Sequence, residues 1–215
     1  MKIAQVAPLW ESVPPRTYGG TEYVVYMLTK HLAKRGHEVF LYASADSTLP
    51  DDPNIRHLPL CPNMREMGVP WEQAPMYELE MIERIIHEHG DFDILHNHLG
   101  YQLLPFASLL DRPMVTTLHG ALTESRIKRV HRRYGHLPFV SISDYQRRPC
   151  ADLNYARTIY HGLEPERYEW TDSAKKDYAV VLGRMSPEKG IHHAVHLARE
   201  VGIKLVLAGK IDEKD

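Results

Sequence analysis

The chain has 215 residues, 43% of them hydrophobic and 25% charged, which suits a globular protein of one large domain or one domain and part of another. A formal net charge of -2 gives no overall attraction to nucleic acid, so a nucleic-acid partner is not expected. Cys61 and Cys150 are too few for a disulfide framework, MKIAQVAPLW lacks a signal-peptide pattern, and no apolar run nears the roughly 20 residues of a spanning helix. The composition therefore reads as cytoplasmic.

In chain order, Lys2 to Ala7 predicts a first strand, and Thr21 to Arg35 a helix with Val24, Leu28 and Leu32 on one stripe. Gly36 stands where a left-handed cap would end that helix. Val39 to Ala43 is a continuous apolar run, as a parallel strand covered on both faces should be. Ile55 to Leu60 is a weaker strand. Met76 to His89 predicts a helix with Leu79, Ile82 and Ile86 inward. Phe92 to His96 predicts a strand and Leu99 to Leu110 a helix interrupted near Pro105. Met114 to Leu118, Phe139 to Ile142 and Arg157 to Tyr160 complete the strands. Strands alternating with helices predict an α/β fold, a Rossmann-like parallel sheet with helices on both faces.

From about Leu163 the periodicity stops (LEPERYEWTDSAKK) and then restarts. The expected layout is a first domain over residues 1–165, a linker over 166–177, and the start of a second Rossmann-like domain over 178–215. In that second part Tyr178 to Gly183 predicts a strand, Glu188 to Val201 a helix, and Ile203 to Gly209 a strand. One βαβ unit is smaller than a domain, so the second domain is expected to be truncated.

Four segments could carry chemistry. Gly19 and Gly20, between the first strand and the first helix, let backbone N–H groups approach an oxyanion near a helix N-terminus. No G-x-G-x-x-G occurs there, which disfavours a dehydrogenase. His96 and His98 end a strand and share one face, a spacing that permits metal ligation. With no third ligand in view, they read better as hydrogen-bonding groups that shape a cleft, and no metal is expected. His119, before Gly120 at the end of the next strand, is placed to bond a sugar hydroxyl. Gly183, Arg184 and Lys189, in GRMSPEKG, put two cations beside a helix start, which suits a diphosphate. His192, His193 and His196 read as a solvated helix face. Arg126, Lys128, Arg129, Arg132 and Arg133, with His131 among them, surround an apolar stripe of Ile127, Val130 and Tyr134. That basic face would suit an anionic acceptor or peripheral contact with an anionic lipid surface.

Taken together, MKIAQVAP, YGGTE, HLAKRGHEVFLYA, FDILHNH, TTLHG, SISDYQR, IYHGLEPERY and VLGRMSPEKG resemble the family-4 retaining glycosyltransferases of GT-B fold. The resemblance implies two Rossmann-like domains, the first mainly holding the acceptor and the second mainly a nucleotide sugar. It implies sugar transfer from that donor to a glycan or lipid-linked acceptor with retention of configuration. The nucleotide sugar is then a co-substrate, and no cofactor is implied. Gly19 and Gly20 match a glycine loop near the donor phosphates, and His119 the histidine that contacts the transferred sugar. Arg184 and Lys189 match the pair that grips the diphosphate. The family's paired-glutamate motif has no counterpart, since Glu80 and Glu88 share its spacing but not its flanks. The alternatives are a non-catalytic glycan- or lipid-acceptor-binding module and a nucleotide-sugar epimerase of the same fold.

Overall fold

The computed structural model describes residues 1–211 apart from 89, 91, 171 and 173–176. The expected last residue of the second helix, His89, part of the expected linker and the last four residues lie outside the described residues.

Seven strands form one parallel sheet: β1 (Lys2–Val6), β2 (Glu38–Ala43), β3 (Ile55–Pro59), β4 (Ile94–Asn97), β5 (Met114–Leu118), β6 (Phe139–Ser141) and β7 (Tyr155–Thr158). Their spatial order is β3-β2-β1-β4-β5-β6-β7. Ile3 of β1 faces Val39 of β2 on one side and Ile94 of β4 on the other. The chain therefore builds outward from β1 in one direction, then returns and builds in the other. A crevice opens at such a reversal, beyond the carboxyl ends of β1 and β4.

The helices are α1 (Gly20–Lys34), α2 (Ala74–Glu88), α3 (Ser125–Arg133) and the single turn α4 (Asp144–Arg147). Alternation along β2 shows why both sheet faces need cover. Phe40 and Tyr42 point into a core with Met81, Ile82 and Ile85 of α2, whereas Leu41 and Ala43 point into a second cluster with Val25 of α1. α1 ends as its glycine predicts. Gly36, at φ +82°, donates to the Ala33 carbonyl at 2.8 Å, and His37 donates to that of Leu32 at 3.2 Å.

Several expected details differ. The deepest stripe of α1 is Glu22, Val25, Thr29 and Ala33, so Val24, Leu28 and Leu32 are only half-buried beside it. The inward stripe of α2 is Ala74, Glu78, Met81, Ile82 and Ile85. Leu79 is 51% exposed. In both helices the core-facing stripe accepts a polar residue that a hydrophobic pattern passes over. Leu99 to Leu110 is not an α-helix but two 3-10 segments, Gly100–Gln102 and Leu104–Leu109, because Pro105 lacks an amide hydrogen and crowds the preceding turn. His131 does not join the cations around α3. It is 3% exposed and packs on Phe139.

The chain divides into two compact units, Met1–Gly162 and Leu163–Asp215. The second holds β8 (Tyr178–Leu182), α5 (Ile191–Glu200) and β9 (Lys204–Ala208), the strands paired in parallel with Tyr178 opposite Lys204. The expected helix from Glu188 is broken at its start. Pro187–Lys189 is a 3-10 turn, and Gly190 at φ +69° is the cap from which α5 begins. Gly209 is compelled by crowding, since a Cβ there would run into the Gly183 carbonyl oxygen. Among the described residues no helix is long and apolar enough to cross a membrane.

Candidate active site

The crevice between β1 and β4 is lined by a continuous hydrogen-bonded relay. Gln5, fully buried near the carboxyl end of β1, holds both strand-end histidines. Its Nε2 donates to His96 Nδ1 at 3.4 Å, and its Oε1 accepts from His98 Nε2 at 2.8 Å. His98 Nδ1 therefore accepts, and His119 Nε2 donates to it at 2.9 Å. At the other end His96 Nε2 donates to Thr117 Oγ1 at 2.7 Å. Burial drives the pKa of His96 down to about 4 and, with the nearby His161 and His96 rings opposing a charge, that of His119 to about 3. Burial takes His98 well below the ordinary range, and the surrounding rings add to the effect. All three rings are neutral near pH 7. His119, with Nε2 spent as a donor, is left with Nδ1 as its acceptor. His161 stacks on it with centroids 5.5 Å apart.

Both nitrogens of His96 and of His98 are engaged in this relay, so the pair shapes the crevice. Among the described residues no group of three or more His, Cys, Asp or Glu could hold a metal ion.

The glycine loop enters α1 beside the crevice. Gly19, in an extended conformation, caps the helix without a side-chain bond. A Cβ there would lie 2.8 Å from Glu22 Oε2 and 2.8 Å from the Pro15 Cβ, whereas one on Gly20 would meet nothing within 4 Å. Gly19 is thus required by close packing, and Gly20 is not. Burial pushes the pKa of Glu22 up to about 7; the nearby Glu11 adds to this, while its own backbone amide and Arg65 oppose it.

A cavity of about 380 Å³ adjoins His98 and His119. Thr21, Leu99, Leu118 and Leu122 form part of its wall, and Glu78, Gln102 and His131 supply polar groups. None of the α3 cations expected to meet an anionic acceptor lines it. Arg132 is turned to Asp152, bonded at 2.9 and 3.2 Å.

In the second unit Gly183 follows β8, and Arg184 bonds Glu188 at 2.7 Å across one turn. An exposed pair of this kind contributes little to stability, so a phosphate, which takes two parallel guanidinium bonds, can displace Glu188. A Cβ on Gly183 would lie 4.0 Å from the Lys189 side chain, so these residues form one local group. His192, His193 and His196 are exposed on α5. Glu88 receives Tyr42 Oη at 3.0 Å and Arg84 Nε at 2.8 Å, bonds that explain it structurally.

Sequence reasoning missed Gln5, Glu78, Gln102 and His131. Gln5 and Glu78 did leave a signal, as polar residues within an apolar strand and on an apolar helix stripe. Gln102 and His131 left none that spacing could find.

The parallel sheet, its reversal and the ligand-sized crevice define a Rossmann-like α/β domain of the GT-B glycosyltransferase kind. The family model for Glycosyltransferase Family 4 matches residues 18–167, and the chain belongs to that family. It is similar to O-antigen chain mannosyltransferase C of Escherichia coli, 21% identical over 231 residues, across 95% of this chain and 60% of that protein. It is similar in structure to AviGT4, a glycosyltransferase involved in avilamycin A biosynthesis, with TM-score 0.70 and 28% identity over 100% of this chain and 58% of that one. The catalytic domain of Starch Synthase IV from Arabidopsis thaliana, bound to ADP and acarbose, shares the fold with TM-score 0.62 and 15% identity, over 99% of this chain and 69% of that one. The chain thus spans about 60% of the length of the first two proteins.

Proposed function

We propose that the chain carries the acceptor side, and the beginning of the donor side, of an enzyme that moves a sugar from a nucleotide-sugar donor to a glycan or lipid-linked acceptor with retention. The observation that carries the reading is the buried, neutral relay ending on His119 at the carboxyl edge of a parallel sheet, with a cavity beside it. A neutral imidazole acceptor there suits a sugar hydroxyl. In this reading Gly19 and Gly20 border the donor phosphates, and His96 and His98 position His119. Arg184 and Lys189, after Gly183, neutralise the diphosphate. The acceptor hydroxyl oxygen bonds to the anomeric carbon as the bond to the diphosphate breaks, and the hydroxyl proton passes to the departing phosphate oxygen. The two fixed cations meet the charge that develops there, with no metal or other cofactor assigned.

The β8–β9 pair supports a larger donor-side sheet in the whole protein. Leu182 is 85% exposed and Val180 54%, whereas parallel strands are ordinarily covered on both faces. The cations of α3 support peripheral contact with the inner face of a membrane.

The test is nucleotide release by the complete gene product across a panel of nucleotide sugars. Arg184→Ala or Lys189→Ala should lower turnover by about two to three orders of magnitude, the scale for losing one preorganised donor to a developing charge. Near wild-type turnover in both variants overturns the phosphate assignment.

A further inference from the structure

The crevice contains one side chain that packing does not call for. Gln5 alternates along β1 with Ala4 and Val6, which point into the core, so its own side chain lies on the opposite face of the strand. It is 0% exposed, and an amide so placed is costly unless both of its ends are bonded. The sheet register supplies the partners. Gln5 stands beside His96 across the β1–β4 pair, and alternation returns His98 to the same face.

The two ends of the amide differ in kind, since Nε2 only donates and Oε1 only accepts. Nε2 meets His96 Nδ1 at 3.4 Å and Oε1 meets His98 Nε2 at 2.8 Å. These bonds require a bare Nδ1 on His96 and a proton on Nε2 of His98. A neutral ring carries one proton, so His98 Nδ1 is bare and takes its bond from His119 Nε2 at 2.9 Å. His119 then has no proton left for Nδ1. Each ring along this path can move its proton from one nitrogen to the other. Gln5 cannot, because its oxygen and nitrogen exchange roles only if the buried group turns over bodily. Thr117, at the His96 end, accepts at 2.7 Å through a hydroxyl that can equally donate, so it imposes no direction.

We propose that Gln5 is the positioning residue of this site: it fixes the proton-bearing nitrogen of His119 and so selects a ligand group that donates a hydrogen bond there. Being fully buried, it acts through His98 and not by contact with a ligand. The inference rests on the reading of His119 as the partner of a sugar hydroxyl and adds what makes that histidine an acceptor.

The experiment follows the ring nitrogens of His96, His98 and His119 by nitrogen–proton NMR in the 215-residue chain, as wild type, Gln5→Met and Thr117→Val. In the wild type all three rings should carry the proton on Nε2. Gln5→Met, close in volume but without the amide, leaves His98 without its ordering partner, so His119 should divide between its two tautomers. Thr117→Val keeps the amide, so His98 and His119 should stay as in the wild type. In the complete gene product Gln5→Met should lower turnover about three- to ten-fold, the scale of one neutral hydrogen bond. A residue that only filled space would leave His119 unchanged in Gln5→Met, and that result overturns the proposal. So does a change at His119 in Thr117→Val, or a wild type with the proton on Nδ1 of one ring and on Nε2 of another. If Gln5→Met does not fold, Thr117→Val and the wild-type pattern decide. Nucleotide release by the complete gene product, with His119 indifferent to Gln5, removes the positioning role alone. A tautomer that follows Gln5, with no release from any donor, removes the transferase reading alone.

Discussion

Glu22→Gln tests whether burial or helix polarity governs the glycine loop. Glu22 is the third residue of α1, where the unpaired amides of a helix start favour a negative charge by roughly 0.3–1 kcal/mol. Yet the side chain is 6% exposed, and its pKa is pushed up from 4.5 to about 7. Burial therefore wins. In the unfolded chain the group ionises near 4.5, so between that pH and about 7 the folded state holds the extra proton. Its contribution to stability is full below 4.5 and is lost as pH rises through about 7. At about 1.36 kcal/mol per pH unit the full loss is about 3 kcal/mol. The wild-type curve alone would hide this. His96, His98 and His119, with depressed pKa values, contribute stability that is present above 6.5 and is lost as pH falls below it. The comparison with Glu22→Gln cancels them. In urea unfolding, the Gln variant should gain about 2–3 kcal/mol on wild type between about pH 5 and about pH 8. A difference constant with pH to within about 0.5 kcal/mol would refute the reasoning.

Gly19→Ala should destabilise by about 1–3 kcal/mol, because its Cβ runs into Glu22 and Pro15, whereas Gly20→Ala should be neutral or slightly stabilising. Equal melting temperatures for the two variants would show that the close approach at Gly19 is not what excludes a side chain. The exposed cations of α3 should bind anionic vesicles at about 1 kcal/mol per cation, so Arg129→Ser with Arg133→Ser should weaken binding by about 2 kcal/mol. Equal binding to neutral and anionic vesicles would dismiss the membrane contact.

The alternation of strands and helices was legible because a parallel sheet needs continuous apolar strands, and β2 shows that requirement plainly. Gly36 was legible because an αL cap leaves glycine little competition. The helix faces were misread where Glu22, Thr29 and Glu78 lie inward, since a period of apolar residues registers only apolar members. His96, His98 and His119 were visible as strand-end polar residues. Their connection was not, because Gln5 lies ninety-one residues from His96 in sequence and only the sheet order makes β1 and β4 neighbours. The 3-10 path after β4 was hidden for a different reason. Pro105 signals an interruption, but not how the backbone on either side will fold.

The relay through Gln5 has a consequence for the chemistry at its far end. A carboxamide turned over by half a revolution exchanges donor and acceptor. Each neutral ring along the path must then exchange its own proton-bearing nitrogen. His96 and His98 would change tautomer together, and His119 would accept through Nε2 and offer Nδ1 as a donor. The crevice thus has two self-consistent polarities and no stable mixture of them, since a mixed state sets two donors or two acceptors against each other in a buried place. One amide near the end of a strand selects whether His119 greets a ligand with a lone pair or with a proton.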